Sequence, residues 1–139
     1  MDGQGRVQFP NKWKMRSVEA ELVAVRVMHR LLKKDYLLVL PVDLFVVFSA
    51  KLRGGGFTDT LAQANRHEYA ERILSVDLDS AGRFTIPPEF KDGTGLGKEA
   101  LLVGCVDRFE IWNPADYETA RERERLYMDG VAAKDRLDL

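Results

Sequence analysis

A chain of 139 residues with 45% hydrophobic and 31% charged residues fits one compact domain, or two small units sharing a core, and excludes a disordered or fibrous protein. Its net charge of −1 excludes a uniformly basic nucleic-acid binder, yet residues 1–75 carry 12 Lys and Arg against 8 Asp and Glu, and residues 76–139 carry 9 against 14. No run approaches the roughly 18 apolar residues of a membrane span, and the start MDGQGRVQFP lacks the apolar stretch of a signal peptide, so a cytoplasmic protein without a membrane partner is expected.

The first element is a turn and strand, DGQGRVQFP, in a basic stretch where Arg6, Lys12, Lys14 and Arg16 are interleaved with Phe9 and Trp13, a candidate phosphate-facing patch. The stretch VEAELVAVRVMHRLL supports both a helical stripe and an alternating strand, and alternation favours a strand over 20–28. LLVLPVDLFVVF follows as an apolar run, and a helix equivalent to the one that closes the chain is expected to begin near Ser49 and to be broken by the glycines at 54–56. A linking helix is expected over TDTLAQANRHEYAERI.

The remainder alternates more cleanly. ILSVDLD and RFTIP flank the turn DSAGR and together predict a β-hairpin, PPEFK opens a short helix, and ALLVGCV with RFEIW predicts a second hairpin around Val106, Asp107 and Arg108. Asn113 and Pro114 predict the cap and first position of a closing helix with an acidic first turn. Cys105 can form no internal disulfide and reads as a small buried residue. His29 and His67 stand far apart with no matching cysteines, so no metal or cofactor is expected.

The chain repeats itself. DGQGRVQFPNKWK at 2–14 aligns without gaps with DSAGRFTIPPEFK at 79–91, matching Asp2 with Asp79, Gly5 with Gly82, Arg6 with Arg83, Pro10 with Pro87 and Lys14 with Lys91. LLVLPVDLFVVF at 37–48 aligns with LLVGCVDRFEIW at 101–112, which places 13 additional residues in the first copy, and the apolar Leu44 and Val46 make PVDLFVVF an extra apolar strand that suggests a buried or subunit-facing surface. Glycine in each Asp-x-x-Gly-Arg motif permits the positive φ of a tight turn. The aspartate accepts turn N–H groups or neutralises the arginine, which leaves either a braced turn or a fixed guanidinium able to bind phosphate or guanine.

The two motifs, each followed by apolar alternation and a proline, together with LLVGCVDRFEIWNPADYE, resemble the MraZ family of bacterial transcriptional regulators, with 71–120 the best-fitting part. The resemblance implies a mainly β fold with short helices (α+β): two tandem AbrB-like swapped-hairpin units forming one pseudo-symmetric double-split β-barrel. The implied units are 1–53, with an insertion at 15–35, and 71–120, joined by a helical linker at 54–70 and followed by a C-terminal helix and tail at 121–139. The implied function is sequence-specific binding of double-stranded DNA at promoter repeats of the division and cell-wall gene cluster, by a nucleoid-associated homo-oligomeric ring without a small-molecule substrate. A ring-forming interaction module and an AbrB-like antitoxin stay open as alternatives. By motif, Arg6 and Arg83 match the DNA-contacting arginines and Asp2, Gly5, Asp79 and Gly82 their turn supports, while Lys12 and Lys14 come from the basic patch. Phe109 and Trp112 read as core residues. No catalytic constellation is present in the sequence. Family members carry a strand before the first aspartate. Asp2 instead follows Met1 directly, so either the true start lies upstream, or the first hairpin lacks an arm and the Arg6 contact depends on it.

Overall fold

Alternating apolar residues over 22–29, 34–41 and 108–112 give strands with two covered faces, and a computed structural model, which describes residues 1–10, 21–50 and 55–137, shows what covers them. The strands are β1 (Arg6–Gln8), β2 (Leu22–His29), β3 (Lys34–Pro41), β4 (Ile73–Val76), β5 (Arg83–Thr85), β6 (Leu101–Cys105) and β7 (Arg108–Trp112). The helices among the described residues are α1 (Val42–Phe48), α2 (Thr60–Ala70), α3 (Pro88–Thr94) and α4 (Pro114–Asp129), followed by a short 3-10 turn at Ala133–Asp135. The chain is therefore an α+β protein of antiparallel sheets, one of five strands in the order β4-β2-β3-β7-β6 and one two-stranded ribbon, β1-β5.

The ribbon lies on one face of the larger sheet. Val7 and Phe84 from the ribbon, with Phe9 and Ile86 beside them, bury against Ala24, Leu37, Val39, Phe109 and Ile111. The opposite face presents Val23, Val25, Leu38 and Leu40, onto which α1 lays Leu44, Phe45 and Phe48. Strict alternation along β2 and β3 thus fills two cores at once, and burial of these apolar side chains is the main favourable term holding the layers together.

Pairing is interleaved between the repeats. β1 of the first copy pairs with β5 of the second in the register Arg6 to Thr85, Val7 to Phe84 and Gln8 to Arg83, and the centre of that register is Val7 and Phe84, residues related by the 77-residue repeat. β3 pairs with β7 about Leu38 and Glu110, and β2 pairs with β4. The expected hairpin over 73–87 is therefore corrected. Its arms belong to different sheets and meet only at the bridge between Leu78 and Phe84, because each arm has a longer ladder with the other copy.

Two other expectations change. Residues 42–48 form a helix rather than a strand, so LLVLPVDLFVVF is the structural counterpart of β7 and α4, not of the β6-β7 hairpin. The extended backbone of Pro41 (φ −60°, ψ 152°) caps this helix, and its apolar side chains settle on the sheet. That helix, and not one starting near Ser49, is the equivalent of α4, and Ser49 is its C-cap. None of its residues is fully buried, and Val46 and Val47 are exposed. In the corrected register Val25 corresponds to Val103 and Leu38 to Glu110, so the first hairpin is longer by six residues, and the first copy has five additional residues between its blocks rather than 13. The extra ranks are Met28 with Asp35 and His29 with Lys34, and the outer rank and its turn hold α4: His29 Nε2 lies 2.7 Å from Glu124, Lys34 Nζ 3.1 Å from Asp116, and Arg123 donates to the Leu31 carbonyl at 3.1 Å.

Other expectations hold. The strand expected over 20–28 is β2, and the linking helix is α2, capped by Asp59, whose side chain accepts from Ala62 N–H. Asn113 caps α4 by accepting from Asp116 N–H. Phe109 and Trp112 are core residues, the latter stacked on Tyr36 at 4.4 Å. Cys105 is half-buried rather than buried. No strand among the described residues occupies the outer edge of β6, the place that β4 takes on β2.

Val106, at the tip of the β6-β7 hairpin, is 98% exposed and has a φ of 63°, a conformation costly for a β-branched residue. The substitution Val106→Asn should therefore stabilise the protein by about 1 kcal/mol. A thermal melt should show the midpoint rising by roughly 3 °C.

Candidate nucleic-acid interface

Each Asp-x-x-Gly-Arg motif closes a five-residue loop at one end of the ribbon. In the first, Asp2 Oδ1 accepts from the backbone N–H groups of Gln4 and Arg6, both at 2.9 Å, while Oδ2 accepts from Arg6 Nε at 2.7 Å. In the second, Asp79 Oδ1 accepts from Ala81 and Arg83, both at 2.9 Å, and Oδ2 accepts from Arg83 Nε at 2.9 Å. Gly5 and Gly82 sit at φ 75° and 77°, each donating to the carbonyl of its aspartate. The loops are the same object built twice. The first loop closes without a preceding strand: its hydrogen bonds are local, and cross-strand bonds from Phe9 N to Gly82 O and from Ile86 N to Gly5 O lock both loops to the opposite strand.

This geometry fixes the arginines. Each is gripped by its aspartate through Nε, and a guanidinium held in this way offers a fork that suits phosphate or the O6 and N7 of guanine. On each strand the central residue is buried, Val7 and Phe84 at 2%, so Arg6, Gln8, Arg83 and Thr85 all belong to the outer face of the ribbon. The site residues Asp2, Gly5, Arg6, Asp79, Gly82 and Arg83 are thus brought together as two pseudo-equivalent halves. Lys12 and Lys14 lie outside the described residues.

Lys91 joins the site and was missed. A side chain added at Gly5 would meet the Lys91 side chain, with Nζ 3.5 Å from the position of the Cβ, so α3 of the second copy carries a cation over the Asp2–Arg6 loop of the first. The alignment of Lys14 with Lys91 contained the signal, but the crossover between copies that gives it meaning appears only in three dimensions.

The backbone N–H of Arg6, donated to Asp2, holds the Asp2 carboxyl below its ordinary value of 3.8, and the N–H of Arg83 does the same for Asp79. Because the folded value is the lower one, the loops are fully stabilised above about pH 4 and lose that contribution as pH falls through the folded values. NMR of the two arginine Nε–Hε groups should show them unchanged from pH 8 to 5 and lost only in strong acid.

The family model described as "MraZ protein, putative antitoxin-like" matches residues 71–137. Curated proteins named Transcriptional regulator MraZ match nearly the whole chain: that of Shewanella denitrificans is 25% identical over 99% of this chain and 91% of its own length. The Corynebacterium kroppenstedtii protein is 29% identical over 94% of this chain and 87% of its own, and that of Thermomicrobium roseum is 28% identical over 99% and 91%. The chain is similar to the MraZ family, by its model over the second half and by these proteins over nearly the whole length. The family match thus extends through α4 to the 3-10 turn, beyond the 71–120 that fitted best by motif, and the matches to MraZ proteins take in both copies of the ribbon.

Proposed function

We propose that this MraZ relative is a sequence-specific DNA-binding transcriptional regulator and that the β1-β5 ribbon is its reading surface. The observation that carries the reading is the pair of aspartate-held arginines on one exposed face. A two-stranded ribbon fits the major groove, where a fixed guanidinium pairs bidentately with guanine. Arg6, Arg83 and Lys91 supply the contacts, with Lys12 and Lys14 as further cations. Asp2, Gly5, Asp79 and Gly82 hold the turns.

The interleaved strands support the swapped-hairpin reading, in which units 1–53 and 71–120 close one pseudo-symmetric double-split barrel, with 54–70 as linker and 121–139 as C-terminal helix and tail. Following the resemblance, we read the chain as a ring-forming homo-oligomer of the cytoplasm and nucleoid, acting at promoter repeats of the division and cell-wall cluster. A ring presents several ribbons to several repeats, and that linkage raises avidity. The reading assigns no catalysis. The antitoxin-like description of the family keeps a toxin partner as the second reading.

Phosphate contacts release counterions, so affinity for a promoter-repeat duplex should fall log-linearly with salt, with a slope of about −0.9 for each phosphate contacted. Fluorescence anisotropy between 50 and 300 mM salt measures this slope. A slope near zero would contradict the reading.

A further inference from the structure

The two halves of the ribbon match at the arginines and differ beside them. On the outer face Arg6 stands opposite Thr85, and Arg83 stands opposite Gln8. The pseudo-two-fold through Val7 and Phe84 exchanges Arg6 with Arg83 and Gln8 with Thr85, so the only outward difference within the paired ranks is glutamine against threonine. Both are exposed, so packing in the core does not dictate the difference. Two residues along a strand advance about 7 Å, close to two base-pair steps, so the two ranks face neighbouring positions of a duplex.

We propose that Gln8 and Thr85 are the specificity-determining pair and that they make the recognised DNA element asymmetric: two similar arginine contacts, with adenine selected only on the Gln8 side. This rests on the DNA-binding reading above. Glutamine pairs bidentately with the N6 and N7 of adenine, whereas threonine offers one hydroxyl and a methyl and discriminates less. Gln8 is also preset: its Nε2 donates to the Ala81 carbonyl at 3.0 Å, within the turn that holds Arg83. Nε2 also donates to the Phe9 carbonyl, but at 3.5 Å, so that hydrogen can be given up to a base while the Ala81 bond is kept, and Oε1 accepts from the base. The equivalent carbonyl in the first turn is that of Gln4, which the shorter Thr85 side chain does not reach in the same way, so a glutamine at 85 would restore both the contact and the bracing.

The test is selection from a random-sequence duplex library at fixed salt, using the full chain, Thr85→Gln and Gln8→Thr. The unaltered chain should select an element with adenine enriched roughly tenfold at one of two pseudo-symmetric positions. Thr85→Gln should select adenine at both, giving a palindromic core, and Gln8→Thr should lose the preference. Identical selected sequences from all three proteins, with binding still dependent on Arg6 and Arg83, would overturn the assignment of Gln8 and Thr85 while leaving the DNA-binding reading intact. Selection of no sequence by the unaltered chain, or selection indifferent to Arg6 and Arg83, would overturn both.

Discussion

The double substitution Arg6→Ala with Arg83→Ala should lower affinity for the promoter repeats at least about thirtyfold, because each bidentate guanine contact is worth about 1–3 kcal/mol. Folding should be nearly unaffected. Each arginine forms a half-exposed ion pair with its own aspartate, a class of interaction worth about 0–1 kcal/mol, and the aspartates keep their bonds to backbone N–H groups. Mobility shift measures the first effect, and light scattering with a thermal melt measures the second. Because the loops share one geometry, the single substitutions should cost similar amounts, so Arg6 is as well placed as Arg83. Arg83→Lys separates charge from shape: it keeps phosphate attraction but loses the Nε grip and the planar fork, so it should retain weak binding with little sequence preference.

The largest effect on stability is expected at Phe9. Its side chain is 1% exposed at the seam between ribbon and sheet, edge-on to Phe109 with ring centroids 4.9 Å apart and 5.9 Å from the ring of Phe84. Truncation to alanine removes those contacts and leaves a cavity that the two sheets cannot close without moving, so Phe9→Ala should cost about 3–5 kcal/mol. That is a large share of a typical domain stability of about 5–15 kcal/mol. Urea unfolding followed by circular dichroism measures it, and a cost below about 1 kcal/mol would mean that the ribbon does not depend on this packing. Phe9→Leu keeps an apolar filler and should cost much less.

What could be read from the sequence was the chemistry that closes within a few residues. The Asp-x-x-Gly-Arg turns, the Asn113 cap and the strand read over 20–28, observed as Leu22–His29, are all local, and each was legible. Partner choice was not. Alternation in ILSVDLD and RFTIP marks strands, but their ladders are with β2 and β1, 48 or more residues away, and periodicity carries no information about that choice. The run from Val42 to Phe48, rich in β-branched and aromatic residues, favours a strand locally. It becomes a helix because Leu44, Phe45 and Phe48 find the sheet's second face, a case of tertiary packing overriding propensity. Lys91 was hidden for a related reason. It lies in the acidic half of the sequence and acts on the loop of the basic half.

The central claim is that the outer face of the ribbon, through Arg6 and Arg83, meets DNA. Phenylglyoxal modification of the full chain, quantified by mass spectrometry with and without a promoter-repeat duplex, tests it most directly, because Arg66, Arg108 and Arg121 lie elsewhere and serve as internal references. Selective protection of Arg6 and Arg83 by the duplex, with the reference arginines unchanged, is the predicted result. Equal reactivity of Arg6 and Arg83 with and without DNA, while arginines of α2 or α4 become protected, would contradict it.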